Sequence, residues 1–128
     1  MNVREIDRLA AVRSLLDFSL PLQDSLRQLA SLDWDYEGAA ATLRKEHIAA
    51  VLARYRAGQL GAADIEAWAD AVEGRDDIDF EMADARLLKD LIFELANPLL
   101  THALNQTRAA DLLARLLRTA APTARHRP

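Results

Sequence analysis

The sequence predicts an all-α fold: a compact bundle of five to six helices with at most one short extended segment, near residues 33–38. Three observations carry that expectation. The apolar residues make up 51% of the chain but the aromatics only 5%, so the apolar set is dominated by Ala and Leu, which favour helix over strand. Valine stands only at Val3, Val12, Val51 and Val72, and isoleucine only at Ile6, Ile48, Ile65, Ile78 and Ile92, which is too thin a supply for a conventional sheet. Apolar residues also recur at helical spacing in stretches divided by Gly, Pro and capping residues. With 128 residues, one hydrophobic core suffices. Residues 1–120 are expected to form one helical domain, followed at 121–128 by a disordered tail that is small, basic and proline-containing.

The elements follow in order. Asn2 with Glu5 three residues later is a capping-box pattern, and Ile6, Leu9, Val12 and Leu16 extend a first helix over about 3–17. Ser19 before Pro21 starts a second, with Leu22, Leu26 and Leu29 as its stripe, running to about Leu32. Between Asp33 and Glu37, Trp34 and Tyr36 alternate with acids at period two, the pattern of a loop or short extended piece with one face packed. Thr42 is placed to cap a third helix that carries Leu43, Ile48, Val51, Leu52 and Tyr55 and stops at Gly58. Gly61 opens a fourth helix bearing Ile65, Trp68, Ala69 and Val72, and Gly74 closes it. A fifth carries Leu87, Leu88, Leu91, Ile92 and Leu95 and ends before Pro98. Asn105 or Thr107 opens the last, in which Leu112, Leu113, Leu116 and Leu117 form a stripe wide enough for a core or a self-association face.

Composition narrows the function classes. The absence of cysteine excludes disulfides, thiolate metal sites and cysteine nucleophiles. The first residues alternate charge with apolar side chains and lack a signal's apolar stretch, and no run of about 18 apolar residues occurs, so a cytoplasmic protein without a membrane span is expected. His47, His102 and His126 lie in no HExxH, HxH or Ser-His-Asp context, and the four glycines are isolated. Neither an enzyme nor a metal or other cofactor is therefore expected. The net charge of −4 does not favour a direct nucleic-acid binder.

The charge is local. Residues 61–81 hold eight acids against Arg75 alone, a local charge of −7. Three readings remain open. The acids could serve helix ends, Asp64 and Glu66 at the start of one helix and Asp76, Asp77 and Asp79 at the start of the next. Asp76, Asp77, Asp79 and Glu81 could offer oxygen ligands to a cation, although the spacing and glycine of an EF-hand are missing. Or the segment could present a surface to a basic partner, with Asp64, Glu66, Asp70, Glu73, Asp76, Asp77 and Asp79 as contacts and Trp68 as aromatic anchor. Trp68 equally suits the core by its spacing.

The stretch from Leu52 to Trp68, Leu-Ala-Arg-Tyr-Arg-Ala-Gly-Gln-Leu-Gly-Ala-Ala-Asp-Ile-Glu-Ala-Trp, resembles the helix, glycine turn, helix pattern of small bacterial immunity proteins of the colicin D immunity type. That resemblance implies a helical bundle whose acidic surface occupies the basic cleft of a nuclease toxin in place of the substrate's phosphates. The expectation is an immunity protein that neutralises a toxin by stoichiometric binding. The alternative is a structural or regulatory helical module acting through self-association or a protein partner.

Overall fold

The computed structural model describes residues 3–19, 21–30 and 41–120. Among them are six α-helices, α1 (Val3–Asp17), α2 (Leu22–Ala30), α3 (Lys45–Arg56), α4 (Ala62–Glu73), α5 (Ala85–Ala96) and α6 (Gln106–Ala120), with two short strands, β1 (Ala41–Leu43) and β2 (Ile78–Phe80), and a 3-10 turn at Met82–Asp84. The fold is thus a mostly helical bundle. The expected extended piece at 33–38 with Trp34 and Tyr36, the last residues of the second helix and the tail at 121–128 lie outside the described residues.

The strands were not foreseen. β1 and β2 pair in parallel, Ala41 opposite Ile78, Thr42 opposite Asp79 and Leu43 opposite Phe80. Parallel neighbours need a long crossover. Here it is the helical hairpin α3–α4 rather than a single helix. The ladder is lengthened at both ends by Ala41 N–H to the Asp77 carbonyl and Glu81 N–H to the Leu43 carbonyl. Thr42 therefore sits in a strand and does not cap α3. The cap works from the other side: the Arg44 N–H donates to Nδ1 of His47, three residues into the helix, at 2.9 Å.

Helix ends explain why the chain turns where it does. At the end of α3, Gln59 N–H reaches the Arg54 carbonyl and Gly58 N–H the Tyr55 carbonyl, a Schellman motif with Gly58 left-handed at φ 81°. The same pair of bonds closes α1, Ser19 N–H to the Ser14 carbonyl and Phe18 N–H to that of Leu15, but the left-handed residue there is Phe18 at φ 51°. A phenylalanine in that conformation costs roughly 1 kcal/mol or more. Its ring is buried and lies beneath the Arg54 guanidinium at 5.2 Å, and its carbonyl accepts from Arg54 Nη1 at 2.9 Å, which holds it in place. Gly61 and Gly74 bound α4 as the sequence predicts. Asn105 caps α6, its Oδ1 accepting the Arg108 N–H at 2.8 Å.

One core collects residues from every element except the 3-10 turn. Leu15 and Leu16 of α1, Ile65 and Trp68 of α4, Leu88, Leu91 and Ile92 of α5, and Leu112 and Leu116 of α6 are fully buried in it. The helical spacing foresaw these. It overstated the α6 stripe: Leu113 is half-buried and Leu117 is 68% exposed. α4 packs mainly on α5, α3 on α6 and α1 on α2. Charge pairs tie the pieces together. Arg108 of α6 grips Glu94 of α5 through two bonds of 2.6 and 2.7 Å, and Lys45 of α3 reaches Asp84.

Candidate functional site

The structure sorts the eight expected contact residues into three groups. Two leave the surface altogether. Trp68 is fully buried, its Nε1–H donating to the Leu15 carbonyl at 2.7 Å, so it is a core residue and not an interface anchor. Its spacing with Ile65, Ala69 and Val72 decides this, because that stripe faces α1 and α5. Asp77 is only 5% exposed and is held by two arginines, Arg75 through bonds of 2.8 and 2.9 Å and Arg8 of α1 at 3.2 Å. Burial pulls the Asp77 carboxyl upward, but the hydrogen bonds and charge of Arg75, with the bond from Arg8, hold it below the ordinary carboxylate range. Its task is to join β2 to α1, not to meet a partner.

Asp64 is exposed but occupied locally. Its Oδ2 accepts the Gly61 N–H at 2.8 Å, closing the first turn of α4, where a carboxylate also suits the positive end of the helix. The helix-end reading is right for this residue. It fails for Asp76, Asp77 and Asp79, because a strand and a 3-10 turn follow them rather than a helix start.

The remaining five are all exposed and follow one another along α4 and the stretch to β2. Glu66, Asp70 and Glu73 are exposed and spaced i, i+4, i+7, which places them along one flank of α4, while Ile65, Trp68, Ala69 and Val72 turn inward. Asp76 and Asp79 come next along the chain, both exposed, Asp79 in β2 beside the buried Ile78. Three residues of chain span at most about 11 Å between Cα atoms, somewhat more than the roughly 8 Å screening length in physiological salt, so the charges at Glu73, Asp76 and Asp79 reinforce one another chiefly at low salt. Among the described residues none of the five carboxylates forms an ion pair.

Two of the five work against their own helix. Asp70 and Glu73 occupy the last turn of α4, which holds no basic residue, so negative charge is set against the negative end of the dipole. Each such placement costs about 0.3–1 kcal/mol, and the like-charge pairs at i, i+4 and i, i+3 add a few tenths more. Local stability does not account for this arrangement.

The sequence reading missed the apolar neighbour of the row. Met82, in the 3-10 turn just beyond Asp79, is 91% exposed. Elsewhere Leu99 is fully exposed and Leu100 is 76% exposed. No periodicity marks these, since all three lie in turns. Among the described residues no three His, Asp or Glu side chains gather in a way that would hold a metal ion. His47 is engaged in capping α3, with Nε2 at 3.3 Å from Asp17, and burial lowers its pKa despite that neighbouring carboxylate. No helix among the described residues is long and apolar enough to cross a membrane. Comparison with protein-family models, characterised proteins and solved structures finds no match.

Proposed function

We propose that the protein acts by stoichiometric binding of a protein partner with a basic surface, in the manner of an immunity protein against a nuclease toxin. The observation that supports this reading is the row Glu66, Asp70, Glu73, Asp76, Asp79, five exposed carboxylates that pair with no cation among the described residues, two of them placed at the expense of their own helix. Charges arranged against local stability on one surface fit recognition, because a cleft built for phosphates is basic and is attracted by a like spacing of carboxylates. Met82 at the edge of the row would supply an apolar contact beside the charges. Binding through such a row raises the association rate more than it slows dissociation.

The test pairs the protein with the product of the adjacent gene, and compares it with the triple variant Glu66→Lys/Asp70→Lys/Glu73→Lys. Association should slow by at least about tenfold at low salt and lose most of its salt dependence. Thermal stability should hold or rise, since the reversal of Asp70 and Glu73 places cations at the proper end of α4, while Glu66 lies beyond its first turn, where the dipole is weak. Absence of any complex, or a complex whose association is indifferent to the reversal and to salt, removes the proposal.

A second reading, self-association of a structural or regulatory module, is favoured by the exposed leucines Leu99, Leu100 and Leu117. Sedimentation at micromolar concentration decides it: a monomer eliminates this reading and leaves the first intact.

A further inference from the structure

We infer that the cleft between the ends of α1 and α3 and the starts of α2 and α4 is a binding site for a small apolar carboxylic acid, with Arg54 as the group that receives the carboxylate. The cleft has a volume of about 590 Å³, within the range of small-molecule sites. Phe18, Pro21, Leu22, Leu60 and Ala67 make up the apolar half of its wall, and Ser19, Gln23, Asp24, Arg54 and Asp64 the polar half. Among the described residues Arg54 is the only cation that lines it.

The guanidinium is held in advance of any ligand. Nη1 donates to the Phe18 carbonyl at 2.9 Å and the group lies over the Phe18 ring at 5.2 Å, so little rotamer freedom remains to be lost on binding. Among the described residues no carboxylate pairs with it, and the rest of its N–H fork carries no partner. The two acids that line the cleft are engaged elsewhere, Asp24 with Arg27 at 3.2 Å and Asp64 with the Gly61 N–H. A half-buried, rigid guanidinium with open N–H groups beside an apolar wall selects a planar anion able to meet its fork with two bonds. The Asp24 and Asp64 carboxylates repel any anion, and a dianion about twice as strongly as a single carboxylate, so phosphate is the poorer occupant. A single carboxylate on an aliphatic or aromatic body satisfies the fork and the walls together. This site is separate from the acidic row, and its failure would leave the proposed partner surface untouched.

The experiment is a titration of the full chain, followed by amide NMR, with hexanoate and phenylacetate against hexanol and inorganic phosphate. The acids should give saturable shifts centred on Phe18, Leu22, Leu60 and Ala67, binding at least about tenfold tighter than the alcohol, with phosphate inert. Arg54→Gln should abolish the preference for acid over alcohol. Should that variant not fold, Ala67→Trp takes its place, filling the cleft from an exposed position and blocking the acids without touching Arg54. Acids that do not saturate, that bind no better than hexanol, that keep their preference over hexanol after Arg54→Gln, or that still bind after Ala67→Trp in a folded protein overturn the inference.

Discussion

Replacement of Asp77 by asparagine should be the most damaging isosteric change in the protein. The carboxylate is 6% exposed and accepts from Arg75 at 2.8 and 2.9 Å and from Arg8 at 3.2 Å, side chains that are themselves 18% and 8% exposed. Asparagine preserves the volume but leaves two neighbouring guanidinium groups without the anion between them. Breaking a buried pair by removing one partner costs about 3–5 kcal/mol, and the partial exposure of Arg75 places this case near the lower end, at about 3 kcal/mol. With a urea slope of about 2 kcal/mol/M, the unfolding midpoint falls by about 1.5 M. Urea unfolding followed by far-ultraviolet circular dichroism reads this directly. Arg8→Met should combine with it non-additively, because the two side chains share a bond in the parent. A pH series supplies an independent arm. The folded Asp77 carboxyl lies below its unfolded value, so its contribution is fully present above that value and disappears as the pH falls below about 4. The asparagine variant should therefore show a flatter loss of stability in that range. A midpoint within about 0.3 M of the parent, or strict additivity with Arg8→Met, refutes the reasoning.

Three further outcomes follow from the same geometry. Burial lowers the His47 pKa, so its neutral form stabilises the protein above the unfolded value near 6.5, and that stability is lost as the pH falls through the folded value; His47→Gln, which keeps an acceptor for the Arg44 N–H, should flatten the melting temperature between about pH 5 and 7. Gly58→Ala meets no atom within 4 Å of the added carbon and suffers only the left-handed strain, about 1 kcal/mol by denaturant unfolding, whereas Phe18→Gly relieves a similar strain but forfeits a buried ring and should be destabilising by about 2–4 kcal/mol. Trp68→Phe removes the bond to the Leu15 carbonyl and leaves a void; since that carbonyl still accepts from the Phe18 N–H, the loss should be about 2–3 kcal/mol in the same assay, and a value near zero would show the bond to be dispensable.

What was legible in the sequence was local chemistry. Gly61 and Gly74 bound α4 because glycine at a helix end is a property of a few consecutive residues, and Ile65, Trp68, Ala69 and Val72 mark its inner face by spacing alone. β1 was not legible. Ala41-Thr42-Leu43 is too short to show a period, and its partner lies beyond two helices, so only the assembled fold reveals the pairing. Thr42 carries the chemistry of a cap, yet the ladder takes it, and His47 supplies the acceptor from inside the helix. Within the acidic run, charge alone could not tell Asp77 from Asp76: the difference is Arg8, far away on α1. The cleft around Arg54 is assembled from the ends of four helices, and no short motif encodes such a meeting.

The acids of this chain are thus divided by what opposes their charge, and the division gives the partner hypothesis a control within the same molecule. Asp77 and Glu94 face arginines across elements, so their loss must appear in unfolding. Among the described residues Glu66, Asp70 and Glu73 pair with no cation, and Asp70 and Glu73 cost the folded state a little through the dipole of α4. If they serve recognition, the two groups must separate: a change at Glu94 or Asp77 shifts the unfolding midpoint while association of the remaining folded protein keeps its rate and salt dependence, and reversal of the flank does the opposite. Should the flank instead prove to be a source of stability, with its reversal lowering the midpoint, the row would be part of the scaffold after all, and a basic partner would have no claim on it.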